Sequence, residues 1–269
     1  MKLKYLGTAA AEGFPALFCN CKYCEEARKL GGKNIRTRSQ SLVNDDLLID
    51  FPADTYHHFL THGIEGDRIK YLLITHAHSD HLYPTDLYNR HGCYAHNMRA
   101  PELEIFCSGY SASRIGEPKN VRVNVIKPFE TVEFGSYRVT ALPARHMPGG
   151  EPLFYVIENL GKTLLYAHDT GYFFDEVFDF IEKNHFRFDM LSLDCTNVDI
   201  AIPDTGSHMG FPNIERVVEK LRSIGAAGKD TVICVNHFSH NGNPLHSHIC
   251  ERAAEYGYFA SYDGCEIEF

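Results

Sequence analysis

The chain has 269 residues, a formal net charge of −9 at pH 7, nine cysteines, sixteen histidines and no tryptophan. That length builds one α/β domain or two small ones, and no apolar run reaches the roughly 18–20 residues that cross a bilayer. The acidic charge is spread along the sequence, which weighs against nucleic acid as a partner, because contact with a phosphate backbone needs a basic face.

The N-terminus, MKLKYLGTAAAEG, enters an alternating strand pattern at once and carries no signal-peptide pattern, so a cytoplasmic location is expected. The first strand spans Leu3–Leu6 and a helix follows at Tyr23–Leu30. Strands Ser41–Val43 and Leu47–Ile49 flank a turn at Asn44–Asp46. A helix at Asp54–His62 ends in YHHFLTHG, whose His57, His58 and His62 read as solvated. The strand Ile69–Ile74 precedes a helix at Thr85–His91, and strands Leu103–Phe106, Val121–Ile126, Thr131–Phe134 and Tyr137–Ala141 come next, the last two joined through EFGSY. Strands Phe154–Glu158 and Thr163–Tyr166, a helix at Glu176–Asn184 and the strand Met190–Leu193 continue the pattern. Helices Pro212–Ile224 and Pro244–Tyr256, each opened by proline, enclose the strand Thr231–Val235. No repeat or linker divides the chain, so residues 1–269 read as one domain, and the many hairpin strands with helices interspersed suggest two sheets covered by outer helices.

The strand before LLITHAHSDH ends by delivering His76, His78, Asp80 and His81. In extended chain, residues i and i+2 share a side, so His76 and His78 can grip one ion. Once the chain turns, Asp80 and His81 face another direction and can reach a second. Imidazole nitrogens with a carboxylate suit zinc, manganese or iron(II).

These four residues reproduce the H-x-H-x-D-H signature, and the chain thereby resembles the metallo-β-lactamase-fold hydrolases. The resemblance implies an α/β fold, the four-layer αββα sandwich, over nearly the whole chain. It also implies three further ligands past later strands: His146 in LPARHMPG, Asp169 in LLYAHDTG and His237 in VICVNHFSH. His76, His78 and His146 would hold one ion, Asp80, His81 and His237 the other. Asp169 would bridge them, in preference to its neighbour His168, because a bridge needs two oxygens. Asp50, in LLIDFP, stands where family members carry an aspartate that orients a ligand histidine. Flavodiiron reductases of this fold carry a carboxylate at the position of His78, so redox chemistry is not expected.

Two ions about 3.5–4 Å apart can share a water, lower its pKa and stabilise charge on a substrate oxygen. With Asp80 and Asp169 present the site is expected to be that of a metal-dependent hydrolase. A phosphodiester leaving group needs a proton donor. DTGSHMGFP supplies His208 in the region where phosphodiesterases of this fold carry a catalytic histidine. A lactonase or thioesterase, and a non-catalytic metal-binding protein of cofactor biosynthesis, are the alternatives.

FCNCKYC places Cys19, Cys21 and Cys24 within six residues. Three thiolates and one histidine complete a structural zinc site. His240, three residues beyond His237, is the expected fourth ligand, with His246 and His248 as alternatives. The other six cysteines, Cys93, Cys107, Cys195, Cys234, Cys250 and Cys265, read as small buried hydrophobes of a reducing compartment.

The cysteine loop together with the seven-ligand site resembles the phosphoribosyl cyclic phosphodiesterase branch, accessory enzymes of the carbon–phosphorus lyase pathway. AAAEGFPALFCNCKYC is also similar to the pyrroloquinoline-quinone biosynthesis protein of this fold. The branch implies a homodimer that uses manganese or zinc to open a 1,2-cyclic phosphate on ribose 5-phosphate. Tyr83–Met98 is expected at the pocket or at a dimer contact, and Arg145 against a phosphate.

Overall fold

Successive side chains along each strand point to opposite faces of its sheet, and a computed structural model that describes residues 1–269 shows what each face meets. Leu73 points into the space between two sheets, whereas its neighbour Leu72 points outward under helices.

The first sheet is assembled from β1 (Lys2–Gly7), β2 (Gln40–Val43), β3 (Leu47–Ile49), β4 (Tyr71–Leu73), β5 (Leu103–Cys107) and β6 (Val121–Val125) in that order. The second runs β7 (Thr131–Phe134), β8 (Tyr137–Pro143), β9 (Leu153–Asn159), β10 (Lys162–Ala167), β11 (Met190–Asp194), β12 (Val232–Asn236) and β13 (Phe259–Ala260). The last strand, β14 (Glu266–Glu268), pairs antiparallel with β1 and closes the edge of the first sheet.

The two sheets face each other across one core. Leu3, Tyr5, Val43 and Ile49 of the first meet Val139, Tyr155, Ile157 and Tyr166 of the second. On the outer side of the first sheet lie α2 (Thr55–His62) and α3 (Gly109–Ile115), over Leu42, Leu72, Ile74 and Ile105. Over the second lie α4 (Asp175–Lys183), α5 (Phe211–Ser223) and α6 (His246–Tyr256), whose Val177, Ile214, Val217 and Ile249 cover Leu165, Leu191 and Val235. This is the αββα sandwich. A smaller apolar cluster around Phe14 and Ala16 seats α1 (Lys22–Leu30) through Cys24 and Ala27. No helix is long and apolar enough to cross a membrane.

Strands β3 to β6 run parallel, and so do β10 to β13, while hairpin pairing gives β8 the direction of β10. The carboxyl ends of β8, β10, β11 and β12 therefore open at one edge of the sheet, where loops can gather functional groups.

Several expectations need correction. The segment expected as a helix at Thr85–His91 is a 3-10 turn over Pro84–Asn89, in which Leu87 alone is buried, too thin a stripe to hold an α-helix against the sheet. Helix α3 was not expected, because GYSASRI has little apolar periodicity; it is started by Ser108, whose hydroxyl accepts the Ser111 N–H at 3.2 Å. His58 is fully buried, between Gln40 Oε1 and Thr37 Oγ1, each 2.7 Å away. Burial drives its pKa down to about 3. Of the six scattered cysteines, Cys107, Cys195 and Cys234 are buried, Cys265 is half-buried, and Cys93 and Cys250 are exposed.

Candidate active site

Seven side chains from four places in the chain meet at this edge. His76 and His78 follow β4, and the His78 carbonyl accepts the N–H groups of His81 (2.9 Å) and Leu82 (2.8 Å). This single turn swings Asp80 and His81 away from the first pair. His146 comes from the loop after β8, Asp169 from the end of β10 and His237 from the end of β12.

The first donor group is tight. His78 Nδ1 lies 2.9 Å from His76 Nε2 and 3.1 Å from His146 Nε2. The second joins His81 Nε2 to Asp80 Oδ2 at 3.3 Å and to Asp169 Oδ2 at 2.9 Å, with His237 Nε2 also 2.9 Å from that oxygen. Asp169 turns its other oxygen, Oδ1, toward His146 Nε2 at 3.6 Å. One carboxylate thus faces both groups. His168 points elsewhere: its ring is buried against Tyr166, with Nε2 2.8 Å from Ser192 Oγ.

The second group fits a cation better than it fits itself. His81 Nε2, Asp169 Oδ2 and His237 Nε2 are buried without a hydrogen-bond partner, although they crowd within 2.9 Å. Lone pairs packed so closely favour a positive charge among them. Donors about 2.0–2.1 Å from a tetrahedral zinc stand roughly 3.3 Å apart, close to the spacings observed.

The groups behind the donors fix their orientation. Asp50 is fully buried, accepts the Thr75 backbone and hydroxyl protons at 2.8 and 2.9 Å, and lies 2.7 Å from His81 Nδ1. A proton on Nδ1 leaves Nε2 free as a ligand. Thr75 Oγ1 is 3.0 Å from His76 Nδ1, and Thr196 Oγ1 is 2.8 Å from His237 Nδ1. Asp50, Asp169 and His237 all hold left-handed backbone angles, φ of 65°, 51° and 66°. For non-glycine residues such strain costs about 1–3 kcal/mol each and concentrates at functional sites.

His208 closes one side. Its Nδ1 lies 2.9 Å from Asp194 Oδ2, and its ring stacks on that of His237. Burial alone would lower the imidazole pKa, but the Asp194 charge and hydrogen bond override it and raise it to about 9. Asp194 also accepts the backbone N–H groups of Asp169 (3.0 Å), Thr196 (3.0 Å) and Met209 (3.1 Å). Burial would raise this carboxyl; the His208 charge overrides that and holds it below the ordinary range. With its oxygens so engaged, Asp194 serves as the anchor of His208. Sequence reasoning missed it, and the one signal available was a carboxylate ending an apolar strand in LSLDC.

The cysteine loop and His240 form a separate group. His240 Nδ1 is 3.7 Å from both Cys21 Sγ and Cys24 Sγ, near the roughly 3.6 Å expected across a tetrahedral zinc shell with Zn–S of 2.3 Å. Cys19 Sγ and Cys24 Sγ each receive a backbone N–H, from Cys21 at 3.4 Å and Ala16 at 3.3 Å. Against burial, the Cys24 N–H and His240 lower the Cys21 thiol to about 6, while burial and Cys21 push Cys24 up to about 11. A cation shared by the sulfurs removes that conflict. His246 stands instead beside Arg36, and His248 beside Asp199.

Arg145 as a phosphate contact and Tyr83–Met98 as pocket lining do not match the geometry, which leaves the dimer contact as the expectation for Tyr83–Met98. Arg145 turns away from the pocket, donating Nε to the Tyr172 carbonyl at 3.0 Å and lying over the Phe174 ring. From Tyr83–Met98, residues such as Leu87, Tyr94 and Met98 line an apolar cleft with Phe51, Phe59 and Leu103, apart from the metal donors.

Fold and donor set together define a metallo-β-lactamase sandwich with a histidine–aspartate centre. The chain belongs to the β-lactamase superfamily: the family model described as a beta-lactamase superfamily domain matches residues 47–234. It is similar to a ribonuclease Z of Picosynechococcus sp., 26% identical over 162 residues, which cover 54% of this chain and 44% of that protein. The chain thus spans less than half the length of that relative. Among solved structures it resembles a diphosphatase of the PhnP family, with a TM-score of 0.73 and 19% identity over 100% of this chain and 96% of the other. It also resembles zinc-bound PqqB from Methylobacterium extorquens, with a TM-score of 0.72 and 18% identity over the full length of both.

Proposed function

We propose that the protein is a metal-dependent phosphodiesterase acting on a small diester, with two ions in the pocket and His208 as general acid. The observation that carries this reading is Asp169, whose two oxygens face two donor groups while His208, held by Asp194, stands at their side. His76, His78 and His146 would hold one divalent ion, and Asp80, His81 and His237 the other, with Asp169 between them. Ions held there would activate water and offset charge on a phosphoryl oxygen.

The chain's own groups do the rest. Asp50 and Thr196 keep His81 and His237 presenting Nε2. Asp194 keeps a proton on His208 Nδ1 and favours the charged imidazolium, which can then give its other proton to a leaving oxygen. The pocket, about 330 Å³, has the size of a small-molecule site.

Zinc in the cysteine group, and zinc, manganese or iron in the pocket, follow from donor type. Nine unpaired cysteines support a reducing, cytoplasmic setting, and the homodimer rests on the branch resemblance alone. Turnover of bis-p-nitrophenyl phosphate with manganese or zinc tests the reading. It should appear, and it should collapse in His208→Ala. Lactone turnover that exceeds it and survives loss of His208 would point to a carboxyl-ester hydrolase instead.

A further inference from the structure

A phosphodiesterase must also receive the half of its substrate that does not react. The chemistry of that half, which rests on the phosphodiesterase reading, is set by the pocket wall. Beyond the metal donors and His208, the pocket is lined by Ala10, Ala11, Glu12, Thr196, Asn197, Ser239 and Asn241. It contains no lysine and no arginine. None of its lining residues opens an α-helix, so no helix N-terminus supplies backbone donors.

The arginines that approach these loops are engaged elsewhere. Arg38 gives Nε to the Ala11 carbonyl at 2.8 Å and pairs with Asp54 at 3.2 Å. Arg145 is held by Tyr172 and Phe174. Arg36 is buried over the Phe238 ring and donates to Thr8 Oγ1 and the Ser261 carbonyl, each at 2.9 Å.

The charged residue this wall does present is Glu12. Its Oε1 accepts the Ser239 hydroxyl at 2.5 Å and lies 3.8 Å from His240 Nε2, which pins the carboxylate between the cysteine loop and the loop after β12. A phosphate monoester carries about −1.5 to −2 charges at pH 7 and is ordinarily met by arginine, lysine or a helix N-terminus. Here it would meet a carboxylate of like sign and two side-chain amides.

We infer that the non-reacting half of the substrate is an uncharged hydrogen-bonding group, such as a nucleoside or an unphosphorylated sugar, and that Glu12 discriminates against a second phosphate. Ser239 gives its proton to Glu12 and accepts from Asn241, so Asn197 and Asn241 are the side chains that offer donors and acceptors to hydroxyls and amides. Glu12 accepts from them and repels anions. The substrate class thereby departs from the ribose 5-phosphate esters that the branch resemblance implies, for whose 5-phosphate the pocket has no partner.

The test compares matched diesters on the metal-loaded protein: adenosine 2′,3′-cyclic phosphate with and without a 5′-phosphate, and ribose 1,2-cyclic phosphate with and without a 5-phosphate. Bis-p-nitrophenyl phosphate serves as the reference. Within each pair kcat/KM should favour the member lacking the extra phosphate by about tenfold or more, chiefly through KM. Glu12→Gln should shrink that ratio, which a role confined to packing or to orienting His240 would not do. Equal rates within pairs, preference for the phosphorylated members, or an unmoved ratio in Glu12→Gln would overturn the inference. So would failure to cleave any of the four while the nitrophenyl ester is turned over. Absence of nitrophenyl turnover as well would instead sink the phosphodiesterase reading beneath it.

Discussion

The cysteine cluster and the histidine–aspartate pocket end on one loop, at His240 and His237, yet they are built on opposite logic. In the cysteine cluster the protein supplies all four donors, and backbone N–H groups of Cys21 and Ala16 buttress the sulfurs. In the pocket the donors are backed by side chains, Asp50, Thr75 and Thr196, and one face opens onto Glu12, Asn197 and Asn241. A closed shell braced by backbone suits a staple, because nothing can enter it. An open shell tuned by buried carboxylates suits chemistry, because a reactant can complete it.

Three substitutions sharpen the contrast, and a fourth stands outside both sites. The largest effect on activity is expected from Asp169→Asn, which would weaken the proposed bridge on both sides. Turnover of bis-p-nitrophenyl phosphate should fall on the order of a thousandfold, with pocket metal lost and cysteine-bound metal kept, as read by elemental analysis. His208→Ala should cost about 10²–10⁴ in kcat while metal content stays at the wild-type level, which separates proton donation from metal binding.

Cys19→Ser should act on the other site. One metal ion per chain should be lost and the melting temperature should drop by about 5 °C or more, each kcal/mol being worth roughly 2–4 °C at this size, while the pocket keeps its metal. Unchanged stability and zinc content would mean that the cysteines hold nothing.

The smallest effect belongs to His58, in neither site. Its folded pKa of about 3 lies below the ordinary 6.5, so between those values the unfolded chain takes a proton that the fold refuses. Its contribution to stability is present above pH 6.5 and is lost as pH falls toward 3. Denaturant titrations should show a shallower loss across that window in His58→Gln than in the wild type.

Much of this was legible in the sequence because a cluster of histidines and aspartates directly after an apolar strand is a recognisable pattern. H-x-H-x-D-H packs four ligand-type residues behind one apolar strand, and the family resemblance it carries pointed to His146, Asp169 and His237 past later strands. Hairpin turns such as Asn44–Asp46 and short strands suggested two sheets, and the resemblance carried by H-x-H-x-D-H implied the αββα sandwich. Asp194 stayed hidden because its partner His208 is brought to it by a loop, and no periodicity marks a contact across fourteen positions. His58 was misread because its helix carries histidines at 57, 58 and 62, and residues i and i+4 share a face whose burial composition does not reveal. Glu12, in a loop that touches both sites, gave no pattern at all; its place depends on Ser239, more than two hundred residues away.

The claim that two bound ions make the pocket a phosphodiesterase is tested most directly by reconstitution. Bis-p-nitrophenyl phosphate turnover is followed as manganese or zinc is returned to chelated protein that retains its cysteine-bound metal. Activity should rise with pocket occupancy and level off at two ions per chain beyond the one at the cysteines. A protein that binds a single metal at the cysteines, or that stays inactive with every divalent ion, would contradict it.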